Sequence, residues 1–576
     1  MALTAVLLIA STMALLVIAL AVRLGFHQRL PLALSGAWDA DDAADFAAAR
    51  YGDRTIFELL EPVPWGRAEG ATGPDTWSAR RVRDCVASLG AGLRHATALG
   101  RFDRVVIYKD NHFDLFLFAL AAARVGGIAA PANGALTPEQ VGAYAGHLKA
   151  RVLITDRQRH GALVAAAVLP SCLEHVVLVD GRPDDEPGEG PAWRVHAIHE
   201  LLVSATTGAP AFRRGARDPL FIVHTSGTTG FPKGVIILKE GHRSSIRAAL
   251  CFNLLRRSDL AFASIPYNHQ VTLLYLNAAL VFGARMLLAS RFDAREALET
   301  IDRRRPAVYF GFPITYTQMA PHLGSYGLRS VRIWATTADA SHEVHQREFL
   351  RRGRFLRDLG IPRDGALFVD GLGSSEVGLP ALLRLAGPWT RRFGRRVGRP
   401  VPFFGPKVKV VDADGRPVQR GTPGRLMIRG SSMFGGYWNA HDVFFAATRD
   451  GWWFTGDVVL REKDGEYVHL DREVDVIDHE RGRSYTLLVE EELLKHPAVF
   501  DVSVFAGQSA RGTPVPAAAV ALREGCSVEE DVLRTELNAL LPERDALAYV
   551  RTIPFAKFPI GVTGKALKRV LRTELG

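Results

Sequence analysis

Apolar runs of four or five residues alternate with longer amphipathic stretches over the first two-thirds of the chain. Residues 105–108, 152–155, 175–179 and 221–225 read as strands, and Ala79–Thr97 and Pro138–Leu148 as helices. Alternation of this kind predicts parallel sheets covered by helices. Beyond about residue 400 the pattern shortens. Residues 407–412, 424–429 and 467–470 read as strands joined by tight turns such as Asp412-Ala413-Asp414-Gly415, and the last hundred residues as a compact α+β unit. Residues 181–191, rich in Pro, Gly and acids, read as a surface loop.

The chain opens differently. Residues 1–22 carry no charged side chain, a run long enough to cross a hydrocarbon core about 30 Å thick. Arg23, His27 and Arg29 follow. Basic residues on the C-terminal side predict a single-pass anchor with the rest of the chain in the cytoplasm. Ala19-Leu20-Ala21 also fits a cleaved leader, but the basic start of such a leader is missing.

Composition narrows the picture. A chain of 576 residues, 48% hydrophobic and 23% charged, is globular and longer than one domain. The net charge of +10 suits a nucleotide or an anionic leaflet. No basic run interleaved with aromatics and no nucleic-acid motif is present, so no nucleic-acid partner is expected. Cys85, Cys172, Cys251 and Cys526 lie far apart without metal-ligand spacing, as in a reducing compartment.

The most informative string is Thr225-Ser226-Gly227-Thr228-Thr229-Gly230-Phe231-Pro232-Lys233-Gly234, placed after a predicted strand. Glycines permit close backbone approach, hydroxyls and N–H groups wrap an anion, and Lys233 adds a point charge. The order differs from a Walker A loop. The block resembles the phosphate-loop signature of the adenylate-forming superfamily, which includes acyl-CoA synthetases, nonribosomal adenylation domains and luciferases. The resemblance covers most of residues 50–576, with further motifs in the family's order.

The resemblance implies a large N-terminal domain of parallel sheets covered by helices over 35–471, with a small β-subdomain. A hinge at 473–476 and a small α+β domain over 472–576 that turns between two half-reactions follow from it. Pro266-Tyr267-Asn268-His269 resembles the segment lining the carboxylate pocket, with His269 in the family's histidine place and Asn268 where an aromatic gate is usual. Gly371-Leu372-Gly373-Ser374-Ser375-Glu376 resembles the motif that supplies a Mg²⁺ ligand, here Glu376, and a hydroxyl near the α-phosphate, here Ser375. Leu372 stands where a ring commonly stacks on adenine. Gly451-Trp452-Trp453-Phe454-Thr455-Gly456-Asp457 resembles the ribose-binding motif, with Asp457 on the two hydroxyls and Arg472 in support. Gly561-Val562-Thr563-Gly564-Lys565 resembles the C-terminal motif whose lysine, here Lys565, bridges the substrate carboxylate and the α-phosphate. The implied reaction takes ATP, Mg²⁺ and a carboxylic acid to an acyl adenylate, with coenzyme A as the default acceptor.

Two stretches depart from the family. Where acyl-CoA ligases show a glycine pair and a later proline, this chain has Glu480-Arg481 and Thr486. Either a one-residue shift brings Gly482 into place, or the second step differs. Relatives with other second steps activate nitrite and diazotise an aromatic amine, or close a β-lactone. A relict fold kept for lipid binding is a rival from another class, opposed by the retention of Lys233, Glu376, Asp457 and Lys565. In Trp334-Ala335-Thr336-Thr337-Ala338-Asp339-Ala340 a family Gly-Gly turn is absent, and Asp339 either lends polarity to the acid pocket or caps the next helix.

Overall fold

The computed structural model describes residues 13, 19, 21–65, 75–181, 193–203, 211–225, 233–339, 341–561 and 564–576. The expected anchor at 1–22 lies almost wholly outside the described residues, as do Ser226, Gly227, Thr228, Thr229 and Gly230 of the phosphate loop. Among the described residues no helix is long and apolar enough to cross a membrane. Packing begins upstream of residue 35. Helix Phe26–Leu34 lies along helix Lys239–Phe252, and Trp38, 1% exposed, donates its indole N–H to the Leu32 carbonyl.

Two sheets dominate the large N-terminal domain. The first runs Arg194–Ala197, His175–Leu178, Val152–Thr155, Arg104–Tyr108, Ile128–Ala132 and Pro219–Thr225, all parallel, and ends on the antiparallel strand Lys233–Leu238. The second has a parallel half, Thr55–Leu59, Arg285–Leu288, Leu260–Ala263, Val308–Phe310, Ile333–Thr337 and Leu367–Gly373. Beyond Leu367–Gly373 it turns antiparallel through Pro380–Ala386, Arg396–Pro400, Tyr467–Arg472, Trp452–Arg461, Pro423–Arg429 and Lys407–Val411. The shorter strands expected after residue 400 are thus an extension of the second sheet.

Both sheets bury near-continuous apolar strands, as parallel sheets covered on two faces must. Helix Gln270–Phe282 is almost wholly buried beside the second sheet, and helix Asp114–Arg124 serves the first in the same way. One apolar core joins them, running from Trp38 and Phe57 to Ile428 and Tyr437. The smaller C-terminal domain has cores of its own. Helix Thr486–Leu493 packs on the pair Val499–Gln508 and Pro514–Leu522, and helix Lys568–Leu575 on the other side.

Candidate active site

Strands Pro219–Thr225 and Lys233–Leu238 pair so that Thr225 faces Lys233 across the ladder. The two ends of the glycine–hydroxyl string are therefore pinned together. The next contact comes from a segment the motifs did not flag. Gly435 and Trp438 donate N–H bonds to Ile236 and Gly234, and Gly436 accepts one from Ile236, strapping residues 435–438 beside the loop's exit strand. Tyr437, on this strap, lies with its ring 5.4 Å from the Lys233 ammonium and donates its hydroxyl to Glu376 Oε1 at 3.0 Å. Phe434 N–H bonds the Glu376 carbonyl at 2.9 Å.

Glu376 and Ser375 are both buried, in the tight turn that follows strand Leu367–Gly373. Glycine is needed there, because a Cβ on Gly371 would meet the Pro380 ring at 2.6 Å. Glu376 has one oxygen held by Tyr437 and the other without a protein partner among the described residues. A carboxylate oriented from one side and open on the other fits a hard divalent cation shared with phosphate. Among the described residues no group of three or more His, Cys, Asp or Glu forms a metal cage of its own.

Asp457 and Arg472 are cross-strand partners, Asp457 on Trp452–Arg461 and Arg472 on Tyr467–Arg472. Arg472 Nη1 stands 3.1 Å from Asp457 Oδ1, and His469 Nε2 lies 3.3 Å from the same oxygen. Burial opposes ionisation of Asp457, but the Arg472 charge and His469 outweigh it and hold the carboxyl well below the usual carboxylate range. Arg472 also feels the charge of Glu376, so these three residues share one locale.

His269 caps helix Gln270–Phe282, its Nδ1 accepting the Val271 N–H at 3.2 Å. Burial, then the neighbouring charges of Lys565 and His224, pull its pKa down to about 4. The ring is neutral at pH 7, and because Nδ1 accepts, its proton sits on Nε2. Lys565 comes from the C-terminal domain, on a turn closed by Gly561 N–H to Lys565 carbonyl and Gly564 N–H to Gly561 carbonyl bonds. Gly564, at φ +80°, presses on the large domain so closely that a Cβ would meet Ile314 at 2.5 Å. The Lys565 turn thus packs on the large domain, and the Lys565 charge acts on His269. Val562 and Thr563 lie outside the described residues.

His224, next to Thr225, was not singled out from sequence. Its Nε2 accepts the Asn133 N–H at 3.0 Å and lies 3.3 Å from the Asn268 amide nitrogen. Burial pulls its pKa down to about 4. The place expected for an aromatic gate thus holds a polar pair, Asn268 and a neutral histidine.

Asp339 does not cap the helix that follows. Helix Glu343–Leu350 starts after His342, and its first amide, Glu343 N–H, is taken by Glu491 Oε1 of the C-terminal domain at 2.8 Å. His342 Nδ1 donates to Glu491 Oε2 at 2.7 Å. Burial works against the Glu491 charge, but the His342 hydrogen bond and charge and the Arg395 charge overcome it and hold its pKa at about 2.

The departing loop is a hairpin, Ile477–His479 with Gly482–Ser484, and Glu480 and Arg481 form its turn. Gly482 follows at φ +120°. Arg481 donates to the carbonyls of Glu543 and Ala546, so the charged tip is tied to its own domain. A cleft of about 810 Å³ between Arg425, Phe454, Gly456 and Glu473 adjoins the hinge and is lined by none of the expected catalytic residues.

A family profile described as "AMP-binding enzyme" matches residues 45–438. The chain is 30% identical over 425 residues to a 3-aminoavenalumate diazotase of Streptomyces sp, covering 72% of this chain and 71% of that protein. It is 28% identical to a feruloyl-CoA synthase of Amycolatopsis sp, covering 85% and 92%. Among solved structures, an anthranilate CoA ligase in complex with anthranoyl-AMP superposes with TM-score 0.78 at 21% identity, over 94% of this chain and 98% of that one.

Proposed function

The chain belongs to the AMP-binding enzyme family, and on that premise we propose that it adenylates a carboxylic acid with Mg·ATP and passes the acyl group to coenzyme A. The observation that carries this reading is the packing of the Lys565 turn on the large domain at Ile314, with the Lys565 charge acting on His269, on the same molecule whose Glu376, Arg472 and Asp457 share one locale. In the first half-reaction a carboxylate oxygen attacks the α-phosphorus, and the bond to pyrophosphate breaks. The Thr225–Gly234 loop with Lys233 surrounds the β- and γ-phosphates. Asp457 and Arg472 fix the ribose, and Ser375 stands near the α-phosphate. Lys565 offsets the charge that grows between carboxylate and phosphorus, the contribution expected of a preorganised cation. Neutral His269 offers an Nε2–H to the incoming acid. Magnesium, held by Glu376, supplies neutralisation of the phosphate charge.

The domain division follows the same reading: 35–471 holds the nucleotide, 473–476 forms the hinge, and 472–576 carries Lys565 in and out. Residues 1–22 act as a single-pass anchor with the enzyme on the cytoplasmic side. The support is a 22-residue run without charge, followed by Arg23 and His27. Deleting residues 1–20 then releases the enzyme from membranes and leaves ATP chemistry intact.

One observation favours a second acceptor. The turn of the departing hairpin carries Glu480 and Arg481 in place of the glycine pair of acyl-CoA ligases, and close approach of an acceptor arm to the backbone is easier at glycine. With the diazotase relative in view, nitrite takes the place of the carboxylate and displaces pyrophosphate; an aromatic amine then attacks the activated nitrogen and expels AMP, and loss of water leaves the diazonium group. Exchange of labelled pyrophosphate into ATP that depends on an acid and proceeds without coenzyme A supports adenylation of an acid. A thioester product selects the first acceptor, and nitrite-dependent AMP formation with an aminoarene selects the second. Silence under every co-substrate defeats both.

A further inference from the structure

Helix Phe26–Leu34 buries a charged residue and leaves two leucines exposed. Its inward face carries Arg29, fully buried, with Leu32 and Ala33. Its outward face carries His27, Leu30, Pro31 and Leu34, the two leucines 44% and 62% exposed. Water favours the opposite arrangement, since a buried guanidinium is costly and a buried leucine is gained.

The buried arginine is fully used. Its guanidinium donates to the carbonyls of Leu24 and Gly25, where the chain enters the helix, and to Leu250 on helix Lys239–Phe252. The Phe26 ring lies 4.7 Å from it. Arg29 therefore rivets this helix to the large domain and fixes which side turns outward.

That side does not stand alone. Val22, at the end of the uncharged N-terminal run, is 49% exposed. Arg23 donates to the Asp358 carbonyl at 2.9 Å, which brings the 358–363 loop alongside, with Ile361 39% exposed at its tip. Arg256 donates to the Arg23 carbonyl, and Arg363 is exposed on the same loop. Val22, Leu30, Pro31, Leu34 and Ile361 are thus exposed at this end of the domain, with Arg23 and Arg363 exposed beside them, while Arg256 is paired with the Asp358 carboxylate at 3.9 Å.

We propose that this face lies in the interfacial zone of a phospholipid bilayer, with the leucines at the acyl boundary and Arg23 and Arg363 among anionic headgroups. An apolar strip with a basic border is the make-up of a helix lying in that plane. The inference rests on the anchor proposed for residues 1–22 and goes beyond it. An anchor only tethers the enzyme, whereas this face sets its orientation on the membrane.

The test uses the full-length chain in a Cys172→Ser, Cys526→Ser background, with an environment-sensitive fluorophore on Leu34→Cys, and separately on Leu30→Cys. Val532→Cys, 51% exposed on helix Glu530–Asn538 of the C-terminal domain, is the control. On mixed phosphatidylcholine–phosphatidylglycerol vesicles, the labels at 30 and 34 shift to the blue and are quenched several-fold by nitroxide lipids, while the label at 532 stays water-like. Flotation with the vesicles while labels 30 and 34 remain water-like overturns the proposal and leaves the anchor standing. Failure to float overturns both. Shielding of the two labels without vesicles assigns the face to a second copy of the chain and also overturns it.

Discussion

The two domains bring their shares of the site to it by different means. In the large domain, Glu376, Asp457 and His269 hang from elements rooted in one apolar core, with Arg472 at the end of a strand of the same sheet, so their positions are set by packing that cannot change piecemeal. In the C-terminal domain, Lys565 hangs from small separate cores. That domain meets the large one through a short apolar seam around Val458 and Leu470 and through polar contacts. In these, Glu491 takes His342 and the Glu343 amide, and Asp471 takes the Thr486 hydroxyl. A polar contact is worth a net of about 0.5–1.5 kcal/mol, since water replaces it on opening. The comparison teaches that one half is held by a single core and the other is joined loosely, the division that the proposed reading of the nucleotide by the first and delivery of charge by the second requires.

The hardest test of this division removes the delivered charge. Lys565→Ala lowers adenylation by about 10²–10³-fold, the scale of losing one preorganised transition-state group, while ATP affinity measured by calorimetry changes little. Loss of ATP affinity in that variant would place Lys565 among the fixed readers. On the other side, Asp457→Asn weakens ATP binding itself by about tenfold or more, because the ribose hydroxyls lose a buried charged acceptor and the half-exposed Arg472 loses its partner. Tyr437→Phe, which frees one Glu376 oxygen, raises the Mg²⁺ concentration needed for half-maximal pyrophosphate exchange several-fold, with full rescue at high Mg²⁺.

A smaller effect is expected at the boundary. Glu491→Gln leaves ATP affinity unchanged and slows pyrophosphate exchange by about 3–10-fold, equivalent to about one or two lost polar contacts. Its pH dependence is fixed in sign. The Glu491 pKa is depressed to about 2, so its contribution is complete above the ordinary carboxylate value and is lost as pH falls toward 2. Asp501 runs the other way. Burial pushes its pKa up to about 6 beside Glu490 and Asp339, against the pull of His342. Its penalty appears as pH rises past about 4 and is complete above 6. Asp501→Asn therefore raises the melting temperature slightly at pH 8 and not at pH 4.

Much of the fixed half was legible in the sequence because its residues sit in short strings that carry their own chemistry. The Asp457–Arg472 pairing was half visible, since both belong to recognisable strings, but only strand register made them neighbours. Tyr437 left one faint signal, the Gly435-Gly436 pair before it, and its bond to Glu376 spans too long a separation for spacing to disclose. His342 and Glu491 left none. Asp339 looked like a helix cap because the local pattern suited one, yet the cap came from another domain. Arg29 misled in the same way. Its position after an apolar run read as an outward basic flank, and three backbone carbonyls drew it inside.

The sequence by itself determined the fold class and the short motifs of the family, because periodicity and short motifs are local and survive translation into structure. Only the tertiary structure decided which carboxylate closes the domain boundary, which ring steadies Glu376, and which face of the first described helix turns outward. Those outcomes depend on partners far apart in the chain, and burial decides between them only when the whole surface has been assembled.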